Sequence, residues 1–265
     1  MASLKQIFKR NTHNSFFKAL AGFGRSLNRL YENRNHDIYS NGELTVLKKM
    51  AKLNPKVMID GGANIGKYSL LIQDTNPQAT TYAFEPVKET CEILTINIEQ
   101  YSNIVVIQKG LYKEETSIEI NLFDSHTHSS IFDINKVMTE SNKTTTIELI
   151  KGDSFLTDAK IEHVDFIKLD IEGAEYDAIV GFKESLKSGK IRAIQFEYGY
   201  INIVTKKLLL DFYNFFEEYG YIVGKIFPKT VEFRKYNHKY EDFIGPNFIV
   251  VKKDDQELID LLTRK

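Results

Sequence analysis

The chain has 265 residues, of which 42% are hydrophobic and 27% charged, and its formal net charge is -1. This is the composition of a soluble globular protein, and the balanced charge argues against a protein that binds nucleic acid over its whole surface. The single cysteine, Cys91, excludes an intramolecular disulfide, no apolar run reaches the roughly 20 residues of a membrane span, and no secretory signal is visible, so we expect a cytoplasmic protein.

Residues 1–42 form the first predicted unit, a helical extension. Its apolar side chains recur at steps of three and four, as on one face of a helix: Phe16, Leu20, Phe23, Leu27 and Leu30. Cations outnumber acids over 1–34, where Glu32 stands against Lys5, Lys9, Arg10, Lys18, Arg25, Arg29 and Arg34. The pattern favours a helix that packs on the main domain or on a second subunit of a homo-oligomer. A membrane-surface helix facing anionic lipid is the alternative, and an organelle transit peptide is a weaker one.

From residue 43, helical and strand patterns alternate along the chain. Helices are predicted over 43–53, 67–75, 87–100, 174–187 and 206–219, and strands over 56–60, 80–84, 104–108, 164–169, 191–196, 221–227 and 248–251. The strands are apolar without alternation, which predicts a mostly parallel sheet with helices on both faces. We therefore expect one doubly wound α/β domain over 43–265, with an insertion near 116–150 and a ligand at the carboxyl ends of the strands.

The loop after the first strand reads "MIDGGANIGKYS" over residues 58–69. As G-x-A-x-x-G, from Gly61, it is a degraded dinucleotide fingerprint, which is weak evidence by itself. As D-x-G-x-N-x-G, from Asp60, it matches the nucleotide loop of S-adenosylmethionine methyltransferases, with Asn64 in place of a middle glycine. Asparagine tolerates a positive φ better than most residues, so this replacement is mild.

Two carboxylates bear on these interpretations of the loop, and the first of them separates the two. S-adenosylmethionine carries an ammonium and a sulfonium but no phosphate, so Asp60 beside the loop suits it and does not suit a pyrophosphate. Glu85 ends the next strand in "YAFEP" and can accept hydrogen bonds from both ribose hydroxyls of either cofactor. The residues therefore favour S-adenosylmethionine over NAD.

The fourth strand carries charged residues into its carboxyl end, in "VDFIKLDIEGAEYDAIVG" over 164–181. Lys168 and Asp170 interrupt an apolar run, where an unpaired charge would be costly. Glu172 and Glu175 fall near a helix start, where the helix dipole favours negative charge and gives them a purely structural explanation. Asp170 is harder to explain in structural terms, so we take it as the leading site residue.

These segments, together with "GDSFL" (152–156) before the strand, resemble the FkbM-type S-adenosylmethionine-dependent methyltransferases over roughly 55–200. The resemblance implies a Rossmann-like class I methyltransferase fold with a seven-stranded sheet, and an enzyme that methylates hydroxyl oxygens, often on sugars. It implies cofactor contacts at Asp60, Gly62, Ala63, Asn64, Gly66 and Glu85, and an active-site role for Asp170, Glu172 and Lys168. The family loop usually has a β-branched or small residue where Gly61 stands, a minor departure.

Methyl transfer to an alcohol benefits from a positioned base, because a protonated hydroxyl is a poor nucleophile. Asp170 is the first candidate and Glu172 the second. A carboxylate near a sulfonium is a weakened base, which leaves room for His128 or His126 in the polar insertion.

Three further residues complete the predicted site. A cation bound by Asp170, Glu197 and a histidine is possible, although no tight spacing motif supports a metal. Tyr39 and Glu43, just before the first helix of the domain, are expected to close over the cofactor.

The sequence thus predicts a sugar O-methyltransferase that uses S-adenosylmethionine and acts on a small-molecule or glycan acceptor. An NAD-type oxidoreductase and a cofactor-binding protein without turnover are the alternatives. A nucleic-acid methyltransferase is less favoured, because the surface is not strongly basic and the Asn-Pro-Pro-aromatic motif of amino-group methylation is absent.

Overall fold

The structure is a computed structural model that describes residues 6, 9–122, 129–130 and 143–264. The predicted candidates His126 and His128 lie outside the described residues. The strands are β1 (Val57–Gly61), β2 (Thr80–Phe84), β3 (Ile104–Ile107), β4 (Gly110–Tyr112), β5 (Thr116–Leu122), β6 (Ser129–Ser130), β7 (Lys143–Lys151), β8 (Phe166–Leu169), β9 (Ala193–Glu197), β10 (Tyr221–Ile226), β11 (Val231–Phe233) and β12 (Asn247–Lys252). The helices are α1 (Ser15–Tyr31), α2 (Glu43–Met50), α3 (Lys67–Thr75), α4 (Lys88–Asn97), α5 (Gly152–Asp158), α6 (Glu175–Gly181), α7 (Lys183–Lys187), α8 (Ile201–Thr205), α9 (Leu209–Glu218) and α10 (Gln256–Thr263).

The main sheet has the strand order β11-β10-β12-β9-β8-β1-β2-β3. The strands from β9 to β3 are parallel, while β12, β10 and β11 run antiparallel to their neighbours. The chain order reverses at β1, so β1 and β8 flank the switch point at which such sheets bind ligands. The predicted doubly wound α/β fold is confirmed. The sheet has eight described strands rather than seven, because the three-residue β11 extends it beyond β10.

Helices cover both faces of this sheet, and its central strands are buried on both sides. On β8, Ile167 and Leu169 pack into a core cluster with α6, α7 and α9, whereas Phe166 packs into the opposite cluster with α2, α3 and α10. All four residues of β8 are buried. Lys168 shares the face of Phe166, and in the sheet it is paired with the buried polar residues Asp60 and Gln195.

The stretch 116–150, where the regular alternation breaks, contributes to a second, four-stranded sheet of order β4-β7-β5-β6. β5 and β7 form a long antiparallel pair over seven residue positions, and β7 also pairs in parallel with β4. Ile120, Ile147 and Leu149 form a small apolar cluster with Val87, at the start of α4. The second sheet is thereby fixed beside the carboxyl end of β2.

The amphipathic helix α1 does not pack on the main domain. It contains no buried residue, and its apolar side chains stand in solvent, with Phe16 70% and Leu30 77% exposed. The expectation that this helix packs on the main domain is therefore wrong, whereas contact with a second subunit or a membrane surface stays a prediction. Among the described helices, none combines the length and apolar character needed to cross a bilayer.

Candidate functional site

The glycine-rich loop after β1 is held against the carboxyl ends of β2 and β8. The backbone N–H groups of Gly62 and Ala63 both donate to the Phe84 carbonyl oxygen. Gly62 has a φ of 82°, and a Cβ atom at this position would collide with the carbonyl oxygen of Asp170. Asn64 has a φ of 50°, the left-handed conformation that asparagine adopts more readily than most residues. The loop therefore contacts the strand end that carries the predicted catalytic acid.

Ala63 and Gly66 face α4 rather than the open side of the loop. Ala63 is buried in a cluster with Leu94 and Ile98. Gly66 precedes α3, and a Cβ atom there would lie 2.8 Å from the Leu94 Cδ1 atom. These two residues set the position of the loop, and their predicted contact with a cofactor stays a prediction.

Glu85, at the end of β2, lines the cleft beside this loop. Its two carboxylate oxygens accept the N–H groups of Asn64 at 3.0 Å and Val87 at 2.9 Å. Burial raises the pKa of Glu85 to about 7, although both hydrogen bonds favour the charged form. A carboxylate fixed in this way retains lone pairs for the hydroxyls of a ligand.

Asp60 lies beneath the loop, fully buried, and is not part of the cleft wall. Its Oδ2 accepts a hydrogen bond from Ser69 Oγ at 2.6 Å, while its Oδ1 has no hydrogen-bond partner among the described residues. Burial raises the pKa of Asp60, although Lys168 and Ser69 favour its charged form. Asp60 therefore does not line the described cleft, and its predicted contact with a cofactor stays a prediction.

Lys168 begins a buried polar network behind the cleft. Its Nζ lies 2.7 Å from Asp170 Oδ2 and 4.6 Å from the centre of the Tyr68 ring. Burial by itself would lower the pKa of Lys168, but Asp170, Glu43 and Asp60 together raise it above its ordinary value. Lys168 is thus a permanent cation that holds Asp170 in one orientation.

Glu43 is the far end of the same network. Its Oε2 accepts from Gln195 Nε2 at 2.7 Å, and its Oε1 accepts from the side-chain amides of Asn41 and Asn247 at 2.7 Å and 2.9 Å. Tyr68 joins the network by donating to Gln195 Oε1 at 3.3 Å. The structure thus places Glu43 behind the cleft, as a buried anion that neutralises Lys168.

Tyr39, the other residue expected to close over a cofactor, is 68% exposed. Its backbone N–H donates to Asp37 Oδ1 at 3.3 Å, within the turn that precedes α2. Neither Tyr39 nor Glu43 lines the described cleft, and their roles toward a cofactor stay predictions.

The loop after β8 brings the predicted acids to the mouth of the cleft. Glu172 has a φ of 52°, a left-handed conformation that is strained for glutamate, and Gly173 follows with a φ of 103°. Glu175 Oε1 holds this turn by accepting the N–H groups of Ile171 at 2.9 Å and Gly173 at 3.2 Å. Burial raises the pKa of Glu175 to about 8, and burial together with Asp170 raises the pKa of Glu172 to about 9.

The cleft runs from Glu85 to Asp170 and Glu172, between the glycine loop and the second sheet. The empty space inside it, including its open mouth, is about 810 Å³. Its wall is formed by Gly62, Asn64, Glu85, Pro86, Gly110, Leu111, Tyr112, Ile120, Ile147, Leu149, Asp170, Ile171, Glu172 and Ala174. The structure therefore unites the loop, Glu85 and the acids of the fourth predicted strand in one site.

The apolar wall of this cleft was not predicted from the sequence. It comes from β4, β5 and β7, with Leu111, Ile120, Ile147 and Leu149 facing the space. The alternation of apolar residues in 117–123 and 145–150 is typical of strands, but it does not indicate which way their apolar face points. Gly110 is a second sign of close packing at this wall, because its lack of a side chain leaves room for Leu149 and Pro86.

His36 is the second feature that sequence reasoning missed. Its Nδ1 lies 3.7 Å from Glu197 Oε1, at the carboxyl end of β9. Glu197 raises the pKa of His36, and burial together with Asp170 raises the pKa of Glu197. Tyr200 lies nearby, where burial, Glu172 and Glu197 raise its pKa.

A metal centre finds no support in this arrangement. Among residues 9–122, 129–130 and 143–264, no group of three or more His, Cys, Asp or Glu side chains is arranged to hold a metal ion. Cys91 is buried, and burial raises the pKa of its thiol, as expected of an unreactive cysteine.

Comparisons with known proteins match the segment of the chain that contains this cleft. The profile of a family described as "Methyltransferase FkbM domain" matches residues 60–223. "Methyltransferase 1" of Beauveria bassiana is 26% identical over 146 residues, which are 48% of this chain and 58% of that protein. "Hexuronic acid methyltransferase AglP" of Haloferax volcanii is 26% identical over 159 residues, which are 58% of this chain and 62% of that protein. The matches thus span about three fifths of these relatives.

Solved structures with a similar fold are more distant. A precorrin-6y C5,15-methyltransferase from Geobacter metallireducens superposes with a TM-score of 0.44 at 14% identity, covering 83% of this chain and 93% of the other. SMU.1697c, a Streptococcus mutans protein crystallised with S-adenosylhomocysteine, superposes with a TM-score of 0.42 at 13% identity, covering 79% and 96%. Similarity at this level says nothing about activity.

Proposed function

The chain belongs to the FkbM methyltransferase domain family, and we propose that it transfers a methyl group from S-adenosylmethionine to a hydroxyl oxygen of a sugar. Membership of this family argues against the NAD-type oxidoreductase that the glycine loop left open. The observation that carries the proposal is the cleft itself. Its wall contains Glu85, a carboxylate suited to bind ribose hydroxyls, and the two acids Asp170 and Glu172.

The residues of the cleft fit S-adenosylmethionine in charge. The ionisable residues that line it among the described part of the chain are the acids Glu85, Asp170 and Glu172, and no lysine or arginine is among them. The Asp170 carboxylate, together with the ionised form of Glu85, would repel a pyrophosphate, whereas both attract an ammonium and a sulfonium. Asp60 adds a buried carboxyl beneath the loop, with one oxygen lacking a partner in the described structure.

The shape of the cleft also fits this cofactor. Both oxygens of Glu85 are fixed by backbone N–H groups, so the carboxylate is held ready for the two ribose hydroxyls. The apolar wall that includes Leu111, Ile120 and Ile147 lines the same cleft as Glu85 and provides an apolar surface for an adenine ring. The opposite end of the cleft, at Asp170 and Glu172, is then the place of methyl transfer.

A sugar acceptor is supported by the polar character of that end and by the name of one relative. Carboxyl groups in clefts are well suited to hydrogen-bond the hydroxyls of a carbohydrate. The protein AglP, similar over 58% of this chain, is named as a hexuronic acid methyltransferase. At 26% identity, this makes a hexuronate or a related sugar the first acceptor to test.

When bound, S-adenosylmethionine supplies an electrophilic methyl group on a positively charged sulfur. Asp170, held by Lys168 through one oxygen and 38% exposed, can use its other oxygen to orient the acceptor hydroxyl. Because its pKa is raised to about 9, Glu172 is protonated at neutral pH and serves as a hydrogen-bond donor rather than a base. Lys168 is a positioning residue, since it touches Asp170 and does not line the cleft.

Calorimetry with S-adenosylhomocysteine tests the cofactor assignment. The wild-type protein should bind it with micromolar affinity, and Glu85→Ala should abolish binding because the ribose hydroxyls lose their acceptor. Glu89→Gln is the matched control, since Glu89 is an exposed carboxylate one helical turn away. Tight binding of NAD together with no binding of S-adenosylhomocysteine would contradict the proposal.

Transfer of a radioactive methyl group tests the acceptor. The panel contains UDP-glucuronate, UDP-glucose, methyl β-D-glucuronide and the monosaccharides themselves. Alkali-stable label in a sugar product indicates an ether and thus O-methylation. Binding of the cofactor without label in any member of the panel would favour a cofactor-binding protein without turnover on sugars.

A further inference from the structure

His36 stands at the carboxyl edge of the main sheet, on the chain segment between α1 and α2. Its Nδ1 faces Glu197 Oε1 at 3.7 Å, an ion-pair distance that is too long for a hydrogen bond. The His36 side chain is 63% exposed, whereas that of Glu197 is 28% exposed. Because the two ring nitrogens of an imidazole are directed apart, Nε2 does not face Glu197, and the His36 side chain is largely exposed.

The segment that carries His36 is anchored on both sides. Asn33 Nδ2 donates to the carbonyl oxygen of Ile226 at 3.1 Å, at the end of β10, and to that of Asn41 at 2.7 Å. Asn33 is itself buried, with a φ of 57°. The position of His36 is therefore set by contacts with the sheet.

His36 is not among the residues that line the described cleft, but it lies beside the acid end of the cleft, at the carboxyl end of β9. β8 and β9 are adjacent and parallel, with Leu169 paired to Phe196, so Asp170 and Glu197 follow at the same edge. Asp170 is close enough to His36 to raise the pKa of its imidazole. Asp170 and Glu172 line the cleft at the end opposite to Glu85, where an acceptor hydroxyl must approach the methyl group.

Resting on the proposed function, we propose that His36 is the catalytic base that takes the proton of the acceptor hydroxyl, and that Glu197 is its positioning residue. The hydroxyl oxygen forms its bond to the methyl carbon as the carbon–sulfur bond breaks with its electron pair on sulfur. The hydroxyl proton moves to His36 Nε2 and is then lost to water. Glu197 faces Nδ1 at ion-pair distance and stabilises the imidazolium by its charge.

The charges around His36 predict how the rate of methyl transfer depends on pH. Glu197 on β9 and Asp170 after β8 raise the pKa of His36, whereas burial and Arg34 on its own segment act in the opposite direction. A base must be neutral to accept a proton, so the rate rises with pH through this raised pKa. In Glu197→Gln the pKa of His36 falls, and the acidic limb of the pH–rate profile should move to lower pH.

Three variants test the proposal: His36→Asn, Glu197→Gln and His163→Asn. His163 is the matched control, because its Nε2 lies 3.4 Å from Asp165 Oδ1 at the opposite, amino end of β8. With the fastest acceptor of the sugar panel, His36→Asn should lower kcat about 100-fold or more while S-adenosylhomocysteine still binds. His163→Asn should retain the wild-type rate. A His36→Asn variant with a wild-type rate would overturn the proposal.

A second measurement needs neither cofactor nor acceptor. NMR titration follows the ring of His36, identified among the six histidines by its loss from His36→Asn. Its pKa should lie above the ordinary value near 6.5 and should fall in Glu197→Gln. An unchanged titration in Glu197→Gln would refute the pair while leaving the proposed function intact. A wild-type protein that binds no S-adenosylhomocysteine would instead overturn the function and the base together.

A separate observation concerns the exposed face of α1. Phe16, Leu20, Phe23, Leu27 and Leu30 lie on one side of the helix and are each at least half exposed. The helix is well formed, since Asn14 caps it by accepting the N–H of Phe17 at 3.0 Å. Its charged residues are all basic and lie on the opposite side: Lys18, Arg25 and Arg29.

We infer that this face of α1 rests on an anionic membrane surface. The charge of the helix decides between the available partners. An identical helix from a second copy would bury the same apolar side chains but contains no acid to pair with the cations. An anionic lipid surface accepts the apolar face and attracts the cations at the same time.

Cosedimentation with vesicles tests this inference. The full-length protein should bind vesicles that mix phosphatidylglycerol with phosphatidylcholine, less so at high salt, and should not bind phosphatidylcholine alone. Phe23→Asp should abolish binding, whereas Ile96→Asp, which changes an exposed apolar residue on α4, should not. A stable dimer that Phe23→Asp dissociates, with no binding to anionic vesicles, would show that a second copy covers the face instead.

Discussion

At the scale of single residues, Gly62 is the contact point between the two halves of the cleft. Its backbone passes so close to the Asp170 carbonyl oxygen that a side chain has no room. The cofactor loop and the acid loop therefore hold each other in place. A change at Gly62 should affect both, although it removes no chemical group from the site.

Gly62→Ala should abolish binding of S-adenosylhomocysteine and lower the free energy of unfolding by about 1–3 kcal/mol, because alanine is strained at this φ and collides with Asp170. Gly199→Ala is the control, since a Cβ atom there meets nothing within 4 Å. Calorimetry and urea unfolding measure the two effects. Wild-type affinity in Gly62→Ala would mean that the loop can move away from β8.

Glu85 should make cofactor binding depend on pH. Its pKa is raised to about 7, and ribose hydroxyls donate to the ionised form, so affinity for S-adenosylhomocysteine should rise as pH increases from 6 to 8 and protons should be released. Calorimetry in buffers of different ionisation enthalpy counts these protons. Glu85→Gln should lose the pH dependence, and a wild-type affinity that is flat with pH would contradict a role for Glu85 in ribose binding.

Sequence reasoning reached some of these residues and not others, for physical reasons. Glu85 and Asn64 follow strands directly, so their place at the ligand edge was predictable. Glu43 also stands beside an element start, but its partners Gln195 and Asn247 come from remote strands. His36 lies in a segment without periodicity, and only the fold brings Glu197 to it.

At the scale of elements, α1 and the segment that follows it contribute very differently to stability. α1 has no buried residue. Directly after it, Glu32 is buried and accepts from Lys225 Nζ at 2.9 Å and from Arg234 at 3.3 Å. The anchor of the N-terminal part is therefore this ion pair and not the helix.

Deletion of residues 1–31 should leave the thermal midpoint almost unchanged, because α1, the described helix of this segment, contains no buried residue. Glu32→Ala should instead destabilise the protein by about 3 kcal/mol, since it leaves the buried ammonium of Lys225 without its carboxylate. Differential scanning calorimetry compares the two variants. A large loss of stability on deleting α1 would show that the helix packs on the protein.

The errors in the predicted elements occur where tertiary contacts override the local pattern. Residues 174–187 read as one helix, but the chain forms α6 and α7 with a break at Phe182. The ring of Phe182 lies against Gly152, where a side chain would collide with it. The three-residue β11 is too short for a periodic signal and the C-terminal α10 has only eight residues, and neither was predicted.

At the scale of the whole molecule, the buried carboxyl groups should set the pH at which the protein is most stable. Burial raises the pKa of Glu85 to about 7, of Glu175 to about 8 and of Glu172 to about 9. Raised values mean that folding favours the protonated forms, so this stability is present at acidic pH and is lost as pH rises toward 9. Urea unfolding should give a higher free energy at pH 5.5 than at pH 8.5.

Glu175→Gln should flatten this dependence, because the amide is neutral at every pH. Glu184→Gln, an exposed residue on α7, should leave it unchanged. Equal slopes in the wild-type protein and Glu175→Gln would show that Glu175 is ionised in the folded state without cost.

The position of β12 between β9 and β10 has a consequence for synthesis on the ribosome. β10 pairs only with β11 and β12 among the described strands, and β12 is made last. Until residue 252 has emerged, the β10–β11 hairpin lacks β12, the strand that links it to the rest of the sheet. Glu43 also lacks its hydrogen bond from the Asn247 side-chain amide. In the nascent chain, β9 therefore stays without its β12 neighbour until that point. Chaperones that bind unpaired apolar strands should associate with the nascent chain late in translation.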